Sequence, residues 1–426
     1  MGRRPLPLRL YAVAANLLAP VAFNRVKAKL RAQDIPPQRH RERMGHATQP
    51  RPDGPLIWFH AASVGESLSV LRLIAHMAQA HDTWHFLITS GTATSGKMLA
   101  ERLPPRCTHQ FAPLDSGRAV ARFLAHWRPD LAVFVESEFW PNMLLQTRAA
   151  GVPMALINAR ISDRSARGWG RFAATARRLL GVFALIHCQD RRTEGHVRAL
   201  GLDHARAGRN LKALSGPLPV DDDALDEMRR AVAGRPVWLA SSTHPGEDEI
   251  ALEAHRALLA DHPDLLLILV PRHPERAATI DRLIAEAGLA GVRRSAGGRP
   301  EAGTHVYLAD TLGEMGLWYA LSPITCLCGS FVPVGGHNPY EPAHAGSALI
   351  HGPLYANFAD TYAELRAAGA TTEVADASGL AGAVGTYLRD VPARGGAQAR
   401  IAAFAKDQED ALDALALDLS ALVDPV

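Results

Sequence analysis

The sequence predicts an α/β protein built as two parallel-sheet halves. Short apolar runs of strand-forming residues recur along the chain, and helical patterns of roughly 10–15 residues lie between them. One break rich in proline and glycine divides the series near its middle. A length of 426 residues fits two domains rather than one core. Composition is that of a soluble globular chain, 47% hydrophobic and 21% charged, with no low-complexity tract. Cys107, Cys188, Cys326 and Cys328 are few and irregularly spaced. They read as small core residues in a reducing compartment, not as a disulfide framework or zinc site.

Charge is distributed unevenly. Residues 1–51 hold eleven Lys/Arg against Asp34 and Glu42, which leaves 35 basic and 41 acidic residues for the remainder. The mildly acidic body argues against nucleic-acid binding. Leu10 to Phe23 carries no charge, and Arg3, Arg4, Arg9, Arg25, Lys27, Lys29 and Arg31 flank it. Fourteen residues fall short of the ~20 that span a bilayer. The favoured reading is a segment lying on an anionic membrane surface; a signal peptide and a helix docked on the body are the alternatives.

The first strand is Ile57-Trp58-Phe59-His60, which breaks at Ser63-Val64-Gly65 into a helix with Leu68, Leu71, Ile74 and Ala75 on one face. Strands follow at Trp84–Thr89, Thr108–Ala112, Leu131–Val135, Met154–Asn158 and Ala184–Cys188, with helices such as Ser116–Trp127 and Asn142–Ala150 between them. Leu214 to Pro219 is the linker. A second series follows: Val237–Ala240, Leu265–Val270, Val306–Leu308, Ile324–Cys328 and Ala348–His351. The expected architecture is two Rossmann-like halves with a cleft between them. The divisions are a basic, apolar arm (1–51), an N-terminal domain (52–213) and a C-terminal domain (220–426).

Ligands of such sheets bind at the carboxyl ends of the strands, so chemistry is sought there. Glu66 opens the helix after the first strand, as a cap of the helix dipole or as a site carboxylate. Glu136 and Glu138 end a strand two residues apart, so alternation predicts one shared face, with a site role favoured over solvated edge charges. Between Arg160 and Arg178 six arginines face one acid, Asp163. Arg160 and Arg164, just past a strand, suit an anionic group, whereas Arg177 and Arg178 read as a solvated helix face. Lys212 sits at the junction and could neutralise a leaving phosphate.

In the second half, Arg272 ends the most apolar strand, and Ser241–Glu247 leads into a helix. Asn338, Pro339 and Glu341 form a capping-box-like helix start behind Gly335-Gly336, a geometry that also leaves amides open to phosphate. Gly91 to Lys97 mimics a P-loop, but Met98 replaces the magnesium-binding hydroxyl. Asp221-Asp222-Asp223 reads as a solvated helix start rather than a metal site.

These stretches, taken in order, resemble the 3-deoxy-D-manno-octulosonic acid (Kdo) transferase family. The resemblance runs through His60-Ala61-Ala62-Ser63-Val64-Gly65-Glu66, Glu136-Ser137-Glu138-Phe139-Trp140-Pro141-Asn142, Asn158-Ala159-Arg160-Ile161-Ser162 and Ser242-Thr243-His244. It continues through Pro271-Arg272-His273-Pro274-Glu275-Arg276, Asp310-Thr311-Leu312-Gly313-Glu314 and Gly335-Gly336-His337-Asn338-Pro339-Tyr340-Glu341-Pro342. It departs at Arg209, where the family usually has glycine. The resemblance implies a GT-B fold with an N-terminal acceptor domain and a C-terminal donor domain. It implies an inverting transfer without metal or cofactor, from CMP-Kdo to the lipid A precursor lipid IVA, at the cytoplasmic face of the inner membrane. Glu66 would be the general base, with Glu136 and Lys212 supporting the transition state. Pro271, Arg272, Leu312, Gly313, Glu314, Asn338, Pro339, Tyr340 and Glu341 would bind CMP. Another GT-B enzyme, such as a nucleotide-sugar epimerase or lipid disaccharide synthase, and a non-catalytic nucleotide-binding protein at the membrane are the alternatives.

Overall fold

The computed structural model describes residues 5–211 and 216–423. Contacts divide the chain into unit 1, Met1–Ser215 with Asp410–Val426, and unit 2, Gly216–Glu409.

Unit 1 is built on seven parallel strands: β1 (Leu56–His60), β2 (His85–Ser90), β3 (Cys107–Phe111), β4 (Leu131–Val135), β5 (Met154–Ala159), β6 (Leu185–Cys188) and β7 (Ala205–Ala207). Their order is β3-β2-β1-β4-β5-β6-β7. Its helices are α1 (Leu6–Arg31), α2 (Pro37–His40), α3 (Val64–Ala80), α4 (Ala93–Ala100), α5 (Gly117–Trp127), α6 (Pro141–Ala149), α7 (Asp163–Gly170), α8 (Ala173–Leu180) and α9 (Arg191–Arg198). Both faces of the sheet are covered, which is why the strands read as continuous apolar runs. Successive β1 residues serve opposite cores: Ile57 and Phe59 pack with α3, and Trp58 packs with α5 and α6.

Unit 2 repeats the design with β8 (Val237–Thr243), β9 (Leu266–Pro271), β10 (Gly291–Arg293), β11 (Val306–Leu308), β12 (Ile324–Leu327), β13 (Ala348–His351) and β14 (Thr371–Glu373). The order is β10-β11-β9-β8-β12-β13-β14, again all parallel. Around it lie α10 (Asp222–Val232), α11 (Glu247–Leu258), α12 (Ala277–Glu286), α13 (Met315–Leu321), α14 (Tyr340–His344), α15 (Ala359–Ala367), α16 (Ala377–Arg389) and α17 (Val391–Ser420).

Two expected boundaries move. Residues 1–51 are not a separate arm, because Leu30 and Ile35 are buried with Ala93 and Phe111 of unit 1. The buried Glu42 carboxylate accepts from Arg39, Thr48 and the Phe111 N–H. The second domain does not keep residues 410–426. Leu412, Leu415 and Leu419 of α17 and its continuation pack under β1 and β2 of unit 1. An apolar stripe on an otherwise charged terminal helix gave no sign of which core it would join.

α1 runs well past the uncharged stretch and is, among the described residues, the one helix long and apolar enough to cross a membrane by length and composition. It is also docked. Leu8 and Ala19 are buried, Tyr11 donates to Asp115 at 2.8 Å, and Asn16 accepts from the Gly117 N–H at 2.8 Å. The opposite face leaves Leu6, Leu10, Val13, Leu17 and Val21 more than half exposed.

Candidate active site

Strand order reverses between β1 and β4 in unit 1, and between β8 and β12 in unit 2. Loops part at such a point and leave a concavity at the carboxyl ends of the strands. Of the sequence-selected residues, Glu66 and Glu136 follow the two strands of the first reversal, and Asn338–Glu341 follow β12 at the second, whereas Arg160, Arg272 and Leu312 follow β5, β9 and β11.

In unit 1, β1 is followed by Ser63, whose hydroxyl caps α3 by accepting from the Glu66 N–H. The Glu66 carboxylate reaches back, accepting from the Ala62 N–H and the Ser63 hydroxyl, each at 2.8 Å. The carboxylate thus caps the start of α3, and the acid is half-buried. Two hydrogen bonds leave about half of a carboxylate's lone-pair sites open.

β4 ends at Val135, and Glu136 adopts φ 59°, a left-handed conformation unusual for a residue with a side chain. The strand alternation expected to place Glu136 and Glu138 together therefore does not apply. The Glu136 carboxylate turns to the Asn158 amide, 3.4 Å away. Glu138 turns instead to the His60 Nε2, at 3.6 Å, and to the Trp140 indole N–H. Burial raises the Glu138 carboxyl, but the His60 and Trp140 contacts outweigh it and hold the group below the ordinary carboxylate range.

Asn158 is fully buried, sits at a bulge in β5, and has φ 52°. Its Oδ1 accepts from the Leu211 N–H at 3.1 Å, so one amide links Glu136 to the chain entering the linker. Lys212 lies outside the described residues. Arg160 and Arg164 are exposed, and neither guanidinium has an acidic partner among the described residues. Asp163, the lone acid of that run, is committed to Arg192 and His196. Arg177 and Arg178 are exposed on α8, the solvated face expected, and the Arg177 Nε donates to the Leu200 carbonyl at 2.8 Å.

Unit 2 presents a different chemistry at its reversal. β8 bulges at Ser242, φ 58°, and places His244 after it. His337, from the loop after β12, stacks on His244 with 2.9 Å between their Nε2 atoms. His273 meets the His244 ring edge-on, with 5.8 Å between centroids. Burial, then the charge of His244 and Arg272, pushes His337 down to about 4. Arg272 is exposed and has no carboxylate partner among the described residues. The two acids that could have taken it are engaged elsewhere. Glu275 lies 3.5 Å from His273. Glu247 is buried and accepts from the N–H groups of His244, Gly329, Ser330 and Phe331 at 2.7–3.0 Å.

A family model described as "3-Deoxy-D-manno-octulosonic-acid transferase (kdotransferase)" matches residues 38–214. A 3-deoxy-D-manno-octulosonic acid transferase of Haemophilus influenzae is 35% identical over 326 residues, covering 75% of each chain. A probable mitochondrial transferase of the same name from Arabidopsis thaliana is 35% identical over 323 residues, 73% of this chain and 72% of its own. The chain belongs to the 3-deoxy-D-manno-octulosonic acid transferase family. At the level of fold, a glycosyltransferase of Rickettsia africae superposes with a TM-score of 0.55 at 12% identity, covering 88% of this chain and all of the other. This GT-B-type likeness concerns architecture alone.

Within this transferase the remaining sequence-selected residues are placed unevenly. Asn338 accepts from the Tyr340 N–H at 3.2 Å, and its amide donates to Glu341 at 3.3 Å. The helix opens one residue later than expected, with Pro339 before it rather than in its first turn. The Tyr340 ring is buried against Phe404, its hydroxyl 3.1 Å from Thr361. Burial raises the Glu341 carboxyl, while Asn338 and the nearby Arg272 oppose this. Leu312 is exposed, and Gly313 takes φ 89°, a turn that glycine accommodates without strain. Glu314 pairs with Arg294 at 2.6 Å and accepts from the Thr311 hydroxyl. Pro271 closes β9, and the Arg272 N–H donates to the Thr243 carbonyl at 3.0 Å.

Two sequence mimics resolve as structure. Thr92 caps α4 through Ser95, and Gly96 lies inside that helix against Phe111. Asp221 caps α10 by accepting from the Ala224 N–H. Sequence reasoning quoted His60, Asn158, His244 and His337 within motifs without giving them roles, and it named Glu247 only at the end of the loop that leads into α11.

Proposed function

We propose that this glycosyltransferase moves Kdo from CMP-Kdo to lipid IVA with inversion and without a metal ion. The observation that carries the reading is the division of charge between the two sheets: carboxylates at the strand ends of unit 1, and in unit 2 a guanidinium among histidines with no carboxylate partner among the described residues. Glu66 would take the proton of the acceptor hydroxyl through a free lone pair, held in place by Ala62 and Ser63. Glu136, with Lys212, would support the charge that builds in the transition state. Arg160 and Arg164 would meet an anionic group of the acceptor. Arg272 would bind the CMP phosphate, joined by Pro271 and by the turns at Leu312–Glu314 and Asn338–Glu341. CMP leaves as a phosphate monoester, so charge neutralisation rather than strong acid catalysis is what the departure needs. A base acting opposite the leaving group makes inversion the stereochemical outcome.

The outward apolar stripe of α1, with Arg9, Arg25 and Lys29 on the same helix, supports docking on the anionic cytoplasmic face of the inner membrane. Incubation with CMP-Kdo and lipid IVA in excess EDTA should yield a product heavier by one or more Kdo residues. Mass spectrometry would read the mass and NMR the anomeric configuration. No product, or a retained anomeric configuration, refutes the reading.

A further inference from the structure

Unit 1 contains a cavity of about 570 Å³ between α1, α2, the turn after α2 and α5, and none of the candidate site residues lines it. Its charged lining is basic throughout: Lys27 and Arg31 from α1, Arg41 from the turn, Arg122 from α5. No Asp or Glu lines it, and Glu42, the nearest acid in sequence, is committed to Arg39, Thr48 and the Phe111 N–H. Uncompensated like charges around one concavity repel one another, so the arrangement is costly unless an anion enters.

A second observation is independent of surface charge. His40 lines the same cavity and is 2% exposed. Its Nε2 lies 2.8 Å from the Ile35 carbonyl and therefore donates, while its Nδ1 is buried with no hydrogen-bond partner among the described residues. Burying a polar atom unpaired costs stability, and a ligand hydroxyl that donates to Nδ1 would complete it. His46, also in the lining, is held below its ordinary range by burial and by the charges of Arg122 and Arg41. The walls are not purely polar: Pro20 and Phe23 contribute an apolar side. One turn along α1, Val21, Leu17 and Leu18 are exposed.

We propose that this cavity binds the phosphate of a phospholipid headgroup, with the acyl chains lying along the exposed apolar stripe of α1. A guanidinium fork matches phosphate oxygens, and charge beside exposed apolar surface suits an amphiphile better than a free ion. The site makes α1 a lipid-reading element in addition to a membrane contact. The proposal rests on α1 meeting a membrane but not on the transfer reaction.

The test uses the full chain and a monomeric probe, dihexanoyl phosphatidic acid below its micelle concentration, so that no membrane field contributes. Titration calorimetry should show one site, with inorganic phosphate binding at least about tenfold more weakly. R31Q/R41Q should weaken the lipid by about tenfold or more, the loss of charge-assisted bonds. R102Q/R148Q removes equal charge from unit 1 outside the cavity and should stay within about twofold. Arg31 and Arg41 are both exposed, so the fold should survive, and thermal melts check that. Equal affinity for inorganic phosphate would overturn the lipid assignment. Equal losses in the two double variants, or no binding to the intact protein, would overturn the site.

Discussion

The two sheets reverse strand order at equivalent places but furnish them with opposite chemistry. At the β1/β4 reversal the side chains are acids, Glu66, Glu136 and Glu138, each held by hydrogen bonds from amides, a hydroxyl or an indole, with His60 3.6 Å from Glu138. At the β8/β12 reversal and the adjoining end of β9 they are His244, His273, His337 and Arg272, which has no carboxylate partner among the described residues, while the local acid Glu247 is buried under four N–H groups. One architecture therefore gives one site suited to taking a proton and another suited to holding an anion. What differs is which side chains the loops leave unpaired.

The strongest way to break this comparison is to remove the proton acceptor. Glu66→Gln keeps the helix cap largely intact, since an amide can still accept from Ala62. Turnover should fall by ~10²–10⁴-fold, the usual loss of a general base, while CMP affinity measured by calorimetry stays unchanged. Activity within a few-fold of the native chain would leave Glu66 as a cap only.

The complementary change is Arg272→Ala. CMP affinity should drop by roughly 1.5–3 kcal/mol, the worth of hydrogen bonds to a charged group. The melting temperature should hold, because no described carboxylate loses a partner. Lysine should restore part of the affinity, lacking the bidentate fork. A lower melting temperature with intact CMP binding would make Arg272 structural.

A third change tests the frame around the basic site. Glu247→Gln replaces one oxygen, which accepts from two N–H groups, with an amino group that cannot accept at all. The cost should be about 1–3 kcal/mol, read as a lower denaturant midpoint. An unchanged midpoint would mean the loops after β8 and β12 are held by other contacts.

Most strands were legible because burial on both faces writes them as apolar runs; β4, β11 and β13 lie where periodicity put them. β11 is only three residues long but buried throughout, whereas the three-residue edge strands β7, β10 and β14 are partly exposed and carry no apolar run to register. Glu66 was legible because β1 breaks at Ser63-Val64-Gly65 directly into a helix, a local signal. The parting of Glu136 from Glu138 was not, since it depends on a left-handed turn that a glutamate adopts only under tertiary constraint. Glu247 shows the same limit. A carboxylate opening a helix announces a cap, but nothing local says that three of its four donors come from a loop about eighty residues away. The His244–His337 pair likewise joins two loops that only the sheet order makes neighbours.

That pair yields the smallest effect, and its sign can be worked out. His337 is held down to about 4 from an ordinary 6.5, chiefly by burial and then by His244, Arg272 and His273. As pH falls below 6.5 the unfolded chain takes up a proton that the folded ring still refuses. Stability from the neutral ring is thus complete above the ordinary value, declines down to the folded one, and is gone below it. His109 and His255, each held to about 3 by burial, impose a similar decline on any variant and form the background. Glu138 acts in the same direction but at lower pH, because its contribution is lost only as its carboxyl protonates. His337→Asn should therefore lose less stability than the native chain between pH 6.5 and about 4, and the two should run parallel above pH 7. The half-exposed ring makes the difference modest, so urea midpoints at closely spaced pH values are the suitable measurement. Parallel curves across the whole range would mean that the neutral histidine pair contributes nothing to the fold.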